Sequence, residues 1–206
     1  MSEVRVPDRL PPEAGCPPPY PYLSRDQFIG PTVRSVGPLD HQPAEGFFPR
    51  FVTSILRQQI SMAAAEAILD RLKAAHELEP AAIAATDPES LTDIGLSRRK
   101  AETVVRIATT FEQRGWSRAS FAGAADEEIL RELTSIRGVG PWTAKMQLMF
   151  ALGRPDVFPV EDLGIRHGMT ELTEDELSRP EMCALARRWR PYRTIASMYL
   201  WRSEDG

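Results

Sequence analysis

The segment Leu133-Thr134-Ser135-Ile136-Arg137-Gly138-Val139-Gly140-Pro141-Trp142-Thr143-Ala144 decides the fold. A helical pattern runs into it, two glycines turn the chain, and Pro141 suits the first position of a second helix. The unsatisfied N–H groups and positive dipole end of that second helix attract an anion. Glycine at 138 and 140 lets a phosphate approach main-chain donors that side chains would otherwise block. Ile136 and Val139 would anchor the turn in the core, and Thr143 adds a hydroxyl in the first helical turn. Gly138, Val139, Gly140 and Thr143 therefore form a candidate phosphate grip. The alternative is an ordinary helical hairpin with a glycine-containing turn.

Outward from the hairpin the pattern stays helical. Phe48, Phe51, Val52, Ile55 and Leu56 recur at helical spacing, and Pro49 suits a first turn. Ser61 to Ala75 predicts a second helix with Ile68, Leu69 and Leu72 inward. Asp87-Pro88-Glu89 opens a short helix that stops at Gly95. Ser97 caps the next, which runs to Gly115, and Asp126 caps the helix entering the hairpin. Pro141 to Leu152 ends at Gly153. Thr173 and Glu176 have capping-box spacing, and helices are expected over 180–190 and 191–201. Residues 1–45 read as a proline-rich arm, partly packed on the body. There Pro11-Pro12, Pro17-Pro18-Pro19 and Pro21 favour extended or polyproline backbone, and Val33 to Val36 make at most a short strand. No strand pair and no repeat of solenoid length emerges. The expected fold is all-α, with a module over 46–206 and the hairpin at 133–152.

Composition narrows the chemistry. The chain has 206 residues, 42% hydrophobic, with a formal net charge of -4. That argues against a protein that coats polyanions generally, but not against docking through a few placed contacts. Lysine occurs only at Lys73, Lys100 and Lys145; all other members of the 25 Lys and Arg residues are arginine. A mechanism needing a lysine nucleophile thus has three candidates. Cys16 and Cys183 cannot build a four-cysteine cluster, and two distant cysteines fit a reducing, cytoplasmic setting. His41, His76 and His167 have no ligand-like spacing, so no side-chain metal site is expected. No signal peptide or membrane-spanning run is evident.

One acid stands out. Asp162 precedes Leu163-Gly164-Ile165 and follows Trp142 by twenty residues. On local grounds it is a fair helix N-cap. The hairpin followed by Asp156-Val157-Phe158-Pro159-Val160-Glu161-Asp162 resembles the helix-hairpin-helix DNA glycosylases, within them the AlkA-type DNA-3-methyladenine glycosylase II branch. Ile55-Leu56-Arg57-Gln58-Gln59-Ile60-Ser61, Gly95-Leu96-Ser97-Arg98-Arg99-Lys100-Ala101, and Trp189-Arg190-Pro191-Tyr192-Arg193 through Tyr199-Leu200-Trp201 agree in order, so the match covers about 45–202.

The resemblance implies two helical lobes flanking a cleft. It also implies base excision from duplex DNA carrying alkylated bases of the 3-methyladenine or 7-methylguanine type, with Asp162 as the catalytic acid. Longer members carry an α/β lobe before the helices; here it is expected to be missing or reduced to the arm. Trp142 and Trp201 fall at base-pocket positions, although tryptophans at helical spacing are often core. Gln59, with Gln58 beside it, falls where a wedge side chain enters the duplex; the alternative is two exposed glutamines at a helix end. Leu163 and Met146 replace tyrosines of the best-known members, which implies a softer pocket wall. Arg57, Arg98, Arg99 and Lys100 are either phosphate contacts or a solvated face.

Lyase-type relatives carry a lysine immediately after the hairpin turn, where this chain has Trp142, so a monofunctional enzyme is expected. The missing cysteine cluster separates the chain from the endonuclease III branch. No organic cofactor is implied, and the only ion suggested by analogy is a monovalent cation on hairpin carbonyls. The remaining expectations are a monomer, a bacterial cytoplasmic setting with work at the nucleoid, and no membrane partner. A non-catalytic helix-hairpin-helix DNA-binding module is the competing reading, and a lyase-type glycosylase a third.

Overall fold

The computed structural model describes residues 18–204, and those residues hold helices and turns with no strand. The expectations for Pro11-Pro12, Cys16 and Pro17 lie outside them. No described helix is long and apolar enough to cross a membrane. Contacts divide the chain into two units, one of residues 43–152 and one joining the described residues before position 43 to those after position 152.

The start of the chain corrects the reading of an extended arm. Helices α1 (Pro19–Leu23) and α2 (Gly30–Val36) form there, and Val33 to Val36 are helical rather than a strand. The prolines do not obstruct them. Each helix has a proline at its first or second position, where a missing N–H costs nothing because it has no intrahelical acceptor.

In the unit of residues 43–152, α3 (Phe47–Leu56) buries Phe47, Phe48, Phe51, Val52, Ile55 and Leu56. Ser61 caps α4 (Met62–Ala75) by accepting from Ala64 N–H at 3.3 Å. A short α5 (Pro80–Ala84), not evident from the pattern, precedes α6 (Pro88–Asp93), which Asp87 caps. Ser97 caps α7 (Arg98–Arg114), which packs against α3, α5 and α6 and ends at left-handed Gly115. Its Phe111 joins an aromatic cluster with Phe47 at 4.9 Å, Phe48 at 5.2 Å and Trp116 at 5.4 Å. Asp126 is the first residue of α8 (Asp126–Thr134) and not its cap. Instead the Glu128 carboxylate reaches back to accept from Ala125 N–H. α9 (Pro141–Phe150) packs on α8. Arg118 closes the unit by donating to Ala44 O and Ala151 O, where the chain enters and leaves it.

The other unit adds α10 (Leu163–Thr173), α11 (Arg179–Ala186) and α12 (Arg193–Glu204). Thr173 ends α10 and bonds back to Met169 O, so the expected capping box is not at Thr173 and Glu176. It lies at Ser178 and Glu181, whose carboxylate accepts from Ser178 N–H at 2.8 Å and from its hydroxyl at 2.6 Å. The expected helix over 180–190 stops at Ala186 and tightens into a 3-10 turn through Trp189. One core holds Leu23, Ile29 and Val33 together with Phe158, Ile165, Met169, Trp189, Ile195 and Tyr199. α10 and α12 approach closely, since a Cβ on Gly168 would lie 2.9 Å from Leu200 O.

Asp26 fastens the first segment into this unit. Its Oδ1 accepts from Phe28 N–H, Ile29 N–H and Trp189 Nε1–H, and its Oδ2 from Arg188 Nε at 3.0 Å. Burial raises the pKa of this carboxyl group. The Arg188 bond, the two backbone bonds and the indole bond together outweigh that and leave it below its ordinary 3.8. Its contribution is therefore complete above the unfolded value and is lost as pH falls through the lower folded value. Asp26→Ala is expected to cost about 2–3 kcal/mol at neutral pH, the range for removing a charged hydrogen-bond partner. Urea unfolding should show that gap shrinking in acid.

Candidate functional site

The hairpin forms where the sequence placed it. Ile136 and Val139 are buried, and Val139 N–H donates to Ile136 O at 3.0 Å to close the turn. Val139 thus contributes burial, and its N–H is not available to a phosphate as expected. Gly138 sits at φ +102°, and a Cβ there would overlap the Thr103 hydroxyl and lie 2.8 Å from its Cγ2. Arg106 Nη1 donates to Arg137 O at 2.7 Å and ties the turn to α7.

Gly140 differs. It is the N-cap of α9 with an ordinary φ of -92°, and a Cβ there would meet nothing within 4 Å. Nothing in this chain's own packing demands glycine at that position. The first-turn N–H groups of α9 beside it lack intrahelical acceptors and lie at the positive end of the helix dipole.

The other expected grip residue, Thr143, is 2% exposed, and its hydroxyl accepts from Gln58 Nε2 at 2.9 Å. It is a packing hydroxyl, and the Gln58 side chain is turned inward rather than offered as a wedge. Gln59 is exposed, at a left-handed φ of 57°. Trp142 is half-buried at the second position of α9, and Met146 is buried. Lys100 donates to Leu56 O and Gln58 O, and Arg98 pairs with Glu102, so neither presents the bare charge considered for phosphate contact.

Asp162 stands at the end of a braced segment. Thr194 Oγ1 accepts from Val157 N–H at 3.0 Å and donates to Arg154 O at 2.7 Å, while Thr194 N–H donates to Pro155 O. Asp156 receives Arg193 Nε at 2.7 Å, Arg193 Nη2 at 2.9 Å and Arg190 Nε at 3.2 Å. The chain then turns through Asp162 N–H to Pro159 O at 2.9 Å. Asp162 Oδ1 accepts from Ile165 N–H at 3.0 Å as the N-cap of α10, and also from Trp201 Nε1–H at 2.8 Å. The cap reading is therefore correct but incomplete. A cap explains the Ile165 bond; it does not explain an indole donor brought from α12. Leu163, the next residue, is 57% exposed.

A half-buried carboxylate with one oxygen fixed by two donors is a directed negative charge. In a partly desolvated setting such a charge stabilises a developing cation strongly and reorganises little. Glu161, also half-buried, lacks the α12 indole as a partner for its carboxylate. Asp156, Arg193 and Thr194 were not singled out from sequence, although the stretch Trp189 to Arg193 carried part of the resemblance.

The two glycines separate experimentally. Gly138→Ala is expected to lower stability by at least about 1–2 kcal/mol, from the left-handed backbone penalty alone. Gly140→Ala should stay within about 0.5 kcal/mol of the parent. Denaturant melts of both variants check this, and equal losses would contradict the assignment of Gly140 to an external ligand.

Comparison with known proteins shows the family. Residues 52–191 match the family model described as HhH-GPD superfamily base excision DNA repair protein. YfjP of Bacillus subtilis is 38% identical over 127 residues, 61% of this chain and 44% of that protein, so the chain spans less than half of that relative. DNA-3-methyladenine glycosylase 1 of Schizosaccharomyces pombe is 31% identical over 169 residues, covering 76% of this chain and 72% of that protein. The structure of Schizosaccharomyces pombe 3-methyladenine DNA glycosylase Mag1 in complex with abasic DNA superimposes with a TM-score of 0.80 at 27% identity, covering 91% of this chain and 97% of that one. The chain belongs to the HhH-GPD superfamily of base excision DNA repair proteins.

Proposed function

We propose that this protein is a monofunctional DNA glycosylase that extrudes alkylated bases of the 3-methyladenine or 7-methylguanine type from duplex DNA and hydrolyses their N-glycosidic bond. The observation that carries the reading is Asp162 Oδ1 held by both the α10 N-terminus and the Trp201 indole. As the glycosidic bond breaks, positive charge builds on the deoxyribose. A fixed carboxylate stabilises that oxocarbenium-like state and orients the attacking water. A base alkylated at a ring nitrogen is already cationic and leaves readily, so one carboxylate suffices where neutral leaving groups need an acid partner.

The supporting parts have separate tasks. The α9 N-terminus and the bare Gly140 receive a backbone phosphate without reading sequence. Trp201, half-buried beside the carboxylate, offers a π-face that favours a cationic methylated purine. Trp142, at the head of α9, keeps the aromatic role that the resemblance implies. Strand cleavage would need an amine to attack the sugar carbon. The residue after the hairpin turn is Trp142, and the Lys100 amine is committed to two backbone carbonyls. An intact abasic site is therefore the expected product. Of the hairpin carbonyls, Ile136 O accepts from Val139 N–H and Arg137 O from Arg106. No step of the proposed reaction runs through a monovalent cation on them.

Purified protein incubated with methylated duplex DNA should release free methylated bases, with strand breaks only after alkali. Asp162→Asn keeps a capping acceptor but removes the charge. It should remain folded and lose at least about 100-fold in release rate, the scale for removing one transition-state electrostatic partner. Undiminished release by Asp162→Asn, or spontaneous nicking with a borohydride-trapped adduct, would overturn the reading. Duplex binding without release would favour a non-catalytic module.

A further inference from the structure

The turn between α3 and α4 is held more firmly than a surface loop needs. Gln59 takes a left-handed φ of 57° without being glycine. Such a conformation costs about 1–2 kcal/mol and persists only where the surroundings over-determine it. The surroundings here are specific. Lys100, in the first turn of α7, sends its ammonium to Leu56 O at 2.8 Å and Gln58 O at 2.6 Å, two of the three carbonyls that precede Gln59. These lie at the negative end of the α3 dipole, a favourable seat for a cation. Desolvation of the partly buried ammonium also lowers its pKa.

The same turn is fastened to the phosphate grip. Gln58 Nε2 donates to Thr143 Oγ1 at 2.9 Å in the first turn of α9. Two further rungs continue along the α3–α9 seam: Gln147 Nε2 donates to Ser54 Oγ at 2.8 Å, and the Arg50 guanidinium lies 5.0 Å from the Phe150 ring centroid. Gln58 thus carries both links, its carbonyl to Lys100 and its amide to Thr143. Gln59, the next residue, is left exposed at the tip.

We propose that Lys100 is a positioning residue for base extrusion: by gripping Leu56 O and Gln58 O it holds Gln59 in its left-handed pose, and through Gln58 and Thr143 it keeps that side chain in register with the phosphate-receiving end of α9. This rests on the glycosylase reading given above. It assigns the amine neither to phosphate contact nor to nucleophilic attack, because two of its three donors are used within the chain. Preorganisation of the inserting side chain lowers the cost of opening the duplex, since the ordering is done before DNA arrives.

The test uses a duplex carrying a stable tetrahydrofuran abasic analogue with 2-aminopurine as the neighbouring base, whose fluorescence rises on unstacking and requires no turnover. Lys100→Met keeps the aliphatic stem and removes the donors; Lys100→Arg restores a cation; Gln59→Ala removes the inserting group without touching the anchor. Lys100→Met and Gln59→Ala should each lose most of the fluorescence rise, and the double variant should lose no more than either alone, the signature of one coupled unit. Lys100→Arg should recover part of it. Affinity for undamaged duplex and its salt dependence should not change. On methylated DNA, kcat should fall about 10-fold or more in paired duplex and by much less where the lesion lies opposite a gap, since no stacked partner then needs replacing.

A fluorescence rise equal to the parent's in Lys100→Met overturns the proposal whatever the turnover. A salt slope reduced by about one would show a phosphate contact instead. If Lys100→Met does not fold, an undiminished fluorescence rise in Gln59→Ala overturns it alone. Absence of base release by the parent protein would count against the glycosylase reading, while the fluorescence comparison still decides the role of Lys100.

Discussion

The hydrogen bond from the Trp201 indole to Asp162 Oδ1, 2.8 Å long, is the constraint on which the functional account depends. A carboxylate used only as a helix cap is served by the backbone N–H groups of its own helix. This one also receives a donor from α12, and a series of features brings that donor to it. Gly168 admits the close approach of α10 and α12. Thr194 and Arg193, at the start of α12, brace the segment that delivers Asp162. The charge is thereby fixed in direction before any substrate binds, which is the condition under which electrostatic stabilisation of a transition state is most effective.

The hairpin applies a parallel economy to a different task. Its two glycines answer to different causes. Gly138 is required by the fold, through its positive φ and the contact with Thr103. Gly140 is not, because a Cβ there would meet nothing within 4 Å; the proposed phosphate contact gives it a task. Val139 and Thr143, grouped with the glycines on sequence grounds, belong to the support: one is buried with its N–H used in the turn, the other is buried under Gln58. The buried side chains of the hairpin keep its backbone in place.

Much of this was legible in the chain because it is written in local rules. Ser61, Asp87 and Ser97 cap the helices that their spacing announced, and the glycine hairpin lies where the pattern put it. Asp162 was visible only because its spacing from the hairpin matched a known family; its immediate neighbours spell a cap. The failures also have causes. Proline content by itself favours extended backbone near the start of the chain, whereas in α1 and α2 the prolines occupy the first turn, where no N–H is missed. Thr173 has the spacing of a cap, but side-chain spacing does not reveal where the preceding helix ends. The roles of Lys100, Gln58 and Asp26 were not accessible, since each depends on partners 42 to 163 residues away, or on carbonyls, which leave no mark in sequence.

The most direct measurement of the central claim compares two duplexes that differ only at the sugar of the damaged site. One carries a cationic pyrrolidine in place of the deoxyribose, the other the neutral tetrahydrofuran. If Asp162 is poised to stabilise a sugar cation, the charged analogue should bind at least about 100-fold more tightly, as transition-state mimics do, and neutralising Asp162 should abolish the preference. Equal affinity for the two duplexes, or a preference that survives in Asp162→Asn, would contradict the account.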